Sequence, residues 1–377
     1  MVLAGYGEQG SAPGLDRLRN ARAAAPESRS LDLKRKAVHH VAVQHNSRKF
    51  RRSSLLALTA LSAVVASILV GPAISASAAT KENDHGVVVR FEGSQGTSLE
   101  ELAIADGSMQ KALAPLGASA TVVGNFTAEA PAVQAINADA LDIAGGSITA
   151  TAGALAGNAD IKIFAYYAED GKGEAILVKN GSPIKSVKDL EGKTVAVNQA
   201  GSGQYIVDQA LTYYHVPLSS VHFVYLLAPD GNAAFQAGSV DAWGTFATFI
   251  PLAEANDNAH VLVWGYQVKS ANDGIEVVRT QFAQQYPHLL KVILGVIQAE
   301  ARKEIKNPKA YNAALVAADH LTPSLLKFED SQQAVWQPMT PAAVLREQKV
   351  ATFFFQVGAI PSPVVISTNS INLAKVH

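Results

Sequence analysis

The chain has 377 residues, 31 Lys+Arg against 32 Asp+Glu, and no cysteine. The absence of cysteine excludes disulfides, thiolate nucleophiles and cysteine-based metal sites. The near-balanced charge gives no basic field for nucleic acid.

Residues 1–46 are rich in Ala, Arg and Ser and show no apolar period. They are expected to be a disordered lead or a mis-assigned start. Residues 47–78 read as a secretory signal. Ser47–Arg52 is basic, Leu55–Val70 is an uncharged apolar run, and Ala76-Ser-Ala78 is a small-residue cleavage site. The apolar run is shorter than the ~20 residues a spanning helix needs. Arg51-Arg52 leaves the choice between general and twin-arginine export open. Cleavage would give an exported, soluble protein beginning near Ala79, in the periplasm or an equivalent space. Losing residues 1–78 removes 11 basic and 4 acidic residues, so the remainder carries a net charge of −8. An anionic ligand would then be held by local dipoles, not by the global field.

Strand and helix patterns alternate from there. Strands are predicted at 86–91, 120–123, 141–144 and 161–167, with helices at 98–116, 128–138 and from Ser147 to 156. A strand at 173–178 leads into a second series: strands at 194–198, 221–227, 241–246 and 261–264, helices at 203–214 and 231–237. A strand at 274–279 returns, and the remainder is helical, at 281–306, 308–320, 323–330 and 341–357. This is an α/β pattern with mostly parallel sheets and ligands at the carboxyl ends of strands. It predicts a discontinuous first lobe, 79–178 with 268–377, and a second lobe, 179–267. Crossings are expected near 175–180 and 266–275.

Gly201-Ser-Gly-Gln204 stands between a strand and a helix, where unpaired amide N–H groups and the helix dipole make an anion seat. Ser202 and Gly203 would donate a hydroxyl and an N–H; the alternative is an ordinary N-cap and turn. Gln204 would add an amide donor or face solvent. Gly146 and Ser147 follow another strand end and could contact the ligand or simply allow close packing. Trp243 would wall the cleft; a core tryptophan is the other reading. Asp241 is expected to cap or pair, and Glu100, Glu101 and Asp160 to lie in solvent. No metal-ligand spacing among the ten histidines, no nucleophile elbow and no phosphate-binding loop appears, so neither a metal, a cofactor nor an enzyme is expected.

Five segments carry a resemblance: 107–117, 173–178, 181–193, 234–243 and 347–361. In this order they resemble the substrate-binding proteins of ABC importers for sulfonates, nitrate and taurine, nearest to the aliphatic sulfonate-binding branch. That resemblance implies a type II periplasmic-binding-protein fold, with two α/β lobes, a two-strand hinge and a cleft that closes on ligand. It implies a small organic anion as ligand and an ABC permease and ATPase as partner, with the binding protein a monomer. Gln95 matches a glutamine of the sulfonate-binding branch and is expected at the ligand. Two departures bear on the ligand: 244–251 lacks the family's Trp-Asp-Pro-like run, and Gly146-Ser147 replaces Gly-Asp. Enzymes that share the resemblance rely on cysteine, which this chain lacks.

Overall fold

Glycines, prolines and short apolar runs cut the chain into alternating strands and helices. A computed structural model describes residues 84, 86–94, 98–309, 311–313 and 323–376. The signal region, the lead before it, the start at Ala79 and Gln95 all lie outside the described residues.

The first half of the chain gives β1 (Val88–Glu92), α1 (Leu99–Ala105), α2 (Ser108–Leu113), β2 (Ser119–Val123), α3 (Glu129–Asn137), β3 (Ile143–Ser147), α4 (Ile148–Ala156) and β4 (Ile161–Tyr167). The single helix predicted over 98–116 is broken because Gly107 takes φ 78°, a left-handed turn between α1 and α2. The chain continues through β5 (Glu174–Lys179), β6 (Thr194–Val197), α5 (Ser202–Tyr213), β7 (His222–Tyr225), α6 (Ala228–Gln236), β8 (Ala242–Phe246), α7 (Phe249–Asn256) and β9 (Ala259–Trp264). Helix α7 was not predicted; Pro251 within its first turn masked it in the sequence. Then follow β10 (Gly274–Arg279), α8 (Thr280–Gln285), α9 (Pro287–Lys306), α10 (Pro323–Gln332), β11 (Gln337–Pro338) and α11 (Pro341–Gln356). Pro287 opens α9 and so divides the run predicted as one helix over 281–306.

Two sheets result. The six-stranded sheet has the order β11-β4-β10-β3-β1-β2, and the five-stranded sheet β7-β6-β8-β5-β9. They are less parallel than the alternation implied. β10 runs antiparallel to β3 and β4, and β5 antiparallel to β8 and β9, because each is a strand returning from the other sheet. The first crossing lies at residues 168–173, upstream of the expected 175–180. Residues 174–179 already form a central strand of the second sheet, five of the six fully buried, so they do not belong with the first lobe. The second crossing runs between the end of β9 at Trp264 and the start of β10 at Gly274.

Each sheet is covered on both faces. α3, α4 and α11 pack on one side of the first sheet around Ile136, Ile148 and Phe354; α1, α2 and α9 pack on the other around Phe91, Met109 and Ile293. The second sheet has α5 on one face and α6 and α7 on the other. Burial of this apolar surface, at about 25 cal/mol per Å², is the main stabilising term. A paired charge braces the end of the first sheet remote from the cleft. Asp142, nearly inaccessible, takes hydrogen bonds at 2.8 Å from both Arg90 of β1 and Arg279 of β10.

Candidate functional site

The site is built where β3 of the first sheet and β6 of the second end and feed helices. Ser147 is the last residue of β3 and the N-cap of α4, with φ −133°. Ser202 opens α5. The two belong to different sheets, yet the Ser202 hydroxyl donates to Ser147 Oγ at 3.1 Å. Ser147 Oγ also stands 3.0 Å from Thr149 Oγ1. Two helix N-termini thus face each other through a pair of hydroxyls.

The crossings hold this arrangement. Ile148 donates its N–H to Asp273 O at 3.0 Å, and Thr149 Oγ1 donates to Asn272 Oδ1 at 3.0 Å. Asn272 in turn donates to Glu174 Oε2 at 2.9 Å, and Ser270 donates to Glu174 Oε1. The start of α4, the second crossing and β5 are therefore one network. Two further contacts close the cleft. Tyr205 of α5 sits edge-on to Phe353 and Phe354 of α11, with centroids 5.7 and 5.4 Å apart. Gly153 of α4 has room for no side chain, since a Cβ there would stand 2.8 Å from Ala200 Cβ.

The start of α5 offers free donors. The amide N–H groups of Ser202 and Gln204 find no acceptor among the described residues. Gly203 differs from expectation: its N–H already donates to Asn198 Oδ1 at 2.7 Å. Its lack of a side chain is explained by packing. A Cβ on Gly203 would stand 2.3 Å from Gly244 O, where α5 lies directly on β8. The Gln204 side chain is also engaged, accepting from Ala200 N at 2.8 Å, and is buried. It caps the turn that precedes α5.

Trp243 is the clear correction. It is 2% exposed and packs between Phe235 and Phe249, with its indole nitrogen against Gly231. Strand alternation aims it at α6 and α7 rather than at the cleft. Gly146 is exposed, but one side of it is filled: a Cβ there would meet Glu129 Oε2 at 1.8 Å.

Glu129 is among the residues that the sequence reading missed. Its carboxyl group accepts from Ser147 N at 3.0 Å and Thr151 Oγ1 at 2.7 Å, so an acceptor already occupies the start of α4. Burial pushes its pKa up to about 8, against those two hydrogen bonds. On the opposite face Glu92 accepts from Gly145 N at 2.6 Å. Burial drives Glu92 and Glu276 well above the usual carboxylate range. Glu100, expected in solvent, is buried, 7% exposed. The available signal was a charged residue inside an apolar run, as Glu276 stands between Ile275 and Val277. Among the described residues no group of three His, Cys, Asp or Glu is arranged to hold a metal ion, and no helix is long and apolar enough to cross a membrane.

The family model described as NMT1/THI5 like matches residues 123–311, half of the chain. The chain belongs to the NMT1/THI5-like family. This NMT1/THI5-like chain is 24% identical over 254 residues to a protein of Escherichia coli (strain K12) that carries the provisional name aliphatic sulfonates-binding protein, covering 64% of this chain and 76% of the other. Its structure resembles the alkanesulfonate-binding protein SsuA from Xanthomonas axonopodis pv. citri bound to MOPS, with a TM-score of 0.70, 20% identity, and coverage of 76% of this chain and 99% of that one. It also resembles the desulfurization enzyme DSZB, with a TM-score of 0.52, 14% identity, and coverage of 75% and 96%. The architecture is the two-lobed α/β fold of the periplasmic binding proteins. Because a binding protein and an enzyme both carry it, the fold alone does not assign the activity.

Proposed function

We propose that the chain is an exported solute-binding protein that captures a small organosulfonate anion and delivers it to an ABC permease and ATPase, acting as a monomer without chemistry of its own. The observation that carries this reading is the hydroxyl pair of Ser147 and Ser202, set between two helix N-termini beside the free N–H groups of Ser202 and Gln204. Neutral donors at positive dipole ends suit an anion that stays ionised at every physiological pH. The names of the E. coli and Xanthomonas proteins support the same ligand class. The absence of cysteine removes the nucleophile that the sequence reading expects of enzymes with this resemblance. Export rests on the signal pattern of residues 47–78.

Within this reading Ser202 and Ser147 grip the headgroup, Gln95 remains a proposed contact, and Gly146 lies alongside. Gly203 and Gln204 act through their backbone and the shape of the turn, while Trp243 only supports the second sheet. Calorimetric titration with alkanesulfonates, sulfate, taurine and nitrate tests it. Ser202→Ala removes one donor to a charged group and should weaken the best sulfonate by roughly 1.5–3 kcal/mol. Binding of no sulfonate by the parent would refute the reading; unchanged binding by Ser202→Ala would move the seat elsewhere.

A further inference from the structure

Glu129 stands directly behind the hydroxyl pair. It is the first residue of α3, and its side chain reaches across to the start of α4. Oε2 accepts the N–H of Ser147 at 3.0 Å, and Oε1 meets the Thr151 hydroxyl at 2.7 Å. A Cβ on Gly146 would stand 1.8 Å from Oε2, so the carboxyl lies against the backbone of a residue that is itself exposed. The residue it holds, Ser147, is the one whose hydroxyl meets Ser202 from the other sheet. An anion gripped by that pair is therefore a near neighbour of the Glu129 carboxyl.

Charge decides what this closeness does. Glu129 is 5% exposed. The charged groups that face it are Glu92 of β1 and Glu276 of β10, and among the described residues no Lys, Arg or His joins them. A buried carboxylate with no cation beside it is costly, and burial pushes this one up to about 8. Both of its hydrogen bonds suit the neutral acid. The Ser147 N–H needs only a carboxyl oxygen, and the Thr151 hydroxyl accepts a proton bond as readily as it donates one. A sulfonate bound at the hydroxyl pair sets a second negative charge beside an ionised Glu129. Unit charges about 6–12 Å apart, at an effective dielectric of about 20, repel enough to change affinity roughly ten- to hundredfold.

We propose that Glu129 is a positioning residue of the anion seat and couples it to a proton. Protonated, it fixes Ser147 without opposing the anion; ionised, it repels the anion, so the protein takes up a proton from solvent as it takes up a sulfonate and returns it on release. This rests on the sulfonate reading given above and adds the proton to it. Affinity is then full below the titration of the free carboxyl and is lost as pH rises through it.

The test is calorimetric titration of the full exported protein with ethane-, butane- and hexanesulfonate, all ionised throughout, from pH 6 to pH 9.5. The buffers are amines that carry no sulfonate, and circular dichroism checks the fold at each pH. The best-binding of the three should weaken about fivefold or more between pH 7 and pH 9.5. At pH 9, two buffers of different ionisation enthalpy should report uptake of about half a proton or more per anion bound. Glu129→Gln, nearly isosteric and unable to ionise, should abolish both the pH profile and the uptake. The parent's proton uptake is a readout that stands even where this variant misfolds. Affinity in the parent that is flat with pH, or that rises, overturns the coupling and leaves the sulfonate reading standing. A profile that survives in folded Glu129→Gln overturns the role of Glu129. Binding of none of the three sulfonates overturns both.

Discussion

Gly203 shows how one residue can be read in two ways. Beside a strand end it has the marks of an anion contact, but its N–H is taken by Asn198 and the missing side chain leaves space for the backbone of β8. Gly203→Ala is therefore expected to destabilise the fold, not merely weaken the ligand. A methyl 2.3 Å from a carbonyl oxygen forces the strand or helix to move, and overpacking of that kind costs about 1–3 kcal/mol or more. Thermal unfolding of the variant, in the absence of any sulfonate, checks this; an unchanged midpoint would mean that α5 can lift from β8 freely. Gly146 follows the same logic, since the space a side chain would need there belongs to Glu129. Neither glycine could be assigned from its neighbours in sequence, because the atoms that exclude a Cβ come from residues 41 and 17 positions away.

At the scale of elements, the ends of strands carry the chemistry and the acids near them set a pH dependence. Burial pushes Glu129 and Glu174 up to about 8, and Glu347 on α11 up to about 9. Each binds its proton more tightly folded than unfolded, where the ordinary value is 4.5. Stability linked to these groups is therefore full below about pH 4.5 and is lost as pH rises through about 8. Midpoints of thermal unfolding should fall between pH 5 and pH 8, as each such group withdraws up to about 1.4 kcal/mol of stability per pH unit. Asp142 works the other way: held below its usual range by Arg90 and Arg279 against the cost of burial, it withdraws stability only in stronger acid. Glu129→Gln should flatten the slope over pH 5–8. A parent midpoint that rises across this window would show that these carboxylates are ionised in the fold.

For the whole molecule, two sheets joined by two short crossings make a hinge. Among the described residues the contacts between the two lobes include the Ser147–Ser202 pair, the Tyr205 ring on α11, the close approach of Gly153 to Ala200, and Phe328 of α10, which packs into the core of the second sheet beside Ile250. A ligand bound between the lobes adds contacts to both, which favours closure. Small-angle scattering should show a smaller radius of gyration when a tight sulfonate is added. The same ligand at 100 times its dissociation constant should add about 2.7 kcal/mol of stability. A radius that does not change while that stabilisation appears would mean that the lobes are already closed in solution.

The sequence alone determined the order of strands β1 to β10 and, α7 and the breaks at Gly107 and Pro287 apart, their alternation with helices, and with it the α/β class. Alternation of period two and a 3.6-residue period are local properties, so 161–167 and 274–279 could be read directly. It also determined that Ser147 and Ser202 lie at strand ends before helices, because the glycines and serines of a βα turn are contiguous in the chain. Only the tertiary structure decided that these two serines meet, since they are 55 residues apart and lie on different sheets. It also decided that Trp243 faces α6 and α7, that residues 174–179 belong to the second sheet, and that three glutamates from β1, α1 and β10 converge on Gly145. The reason is the same in each case: pattern along a chain gives the face of an element, but which face is buried against what depends on strand order, and strand order is set by contacts between distant segments.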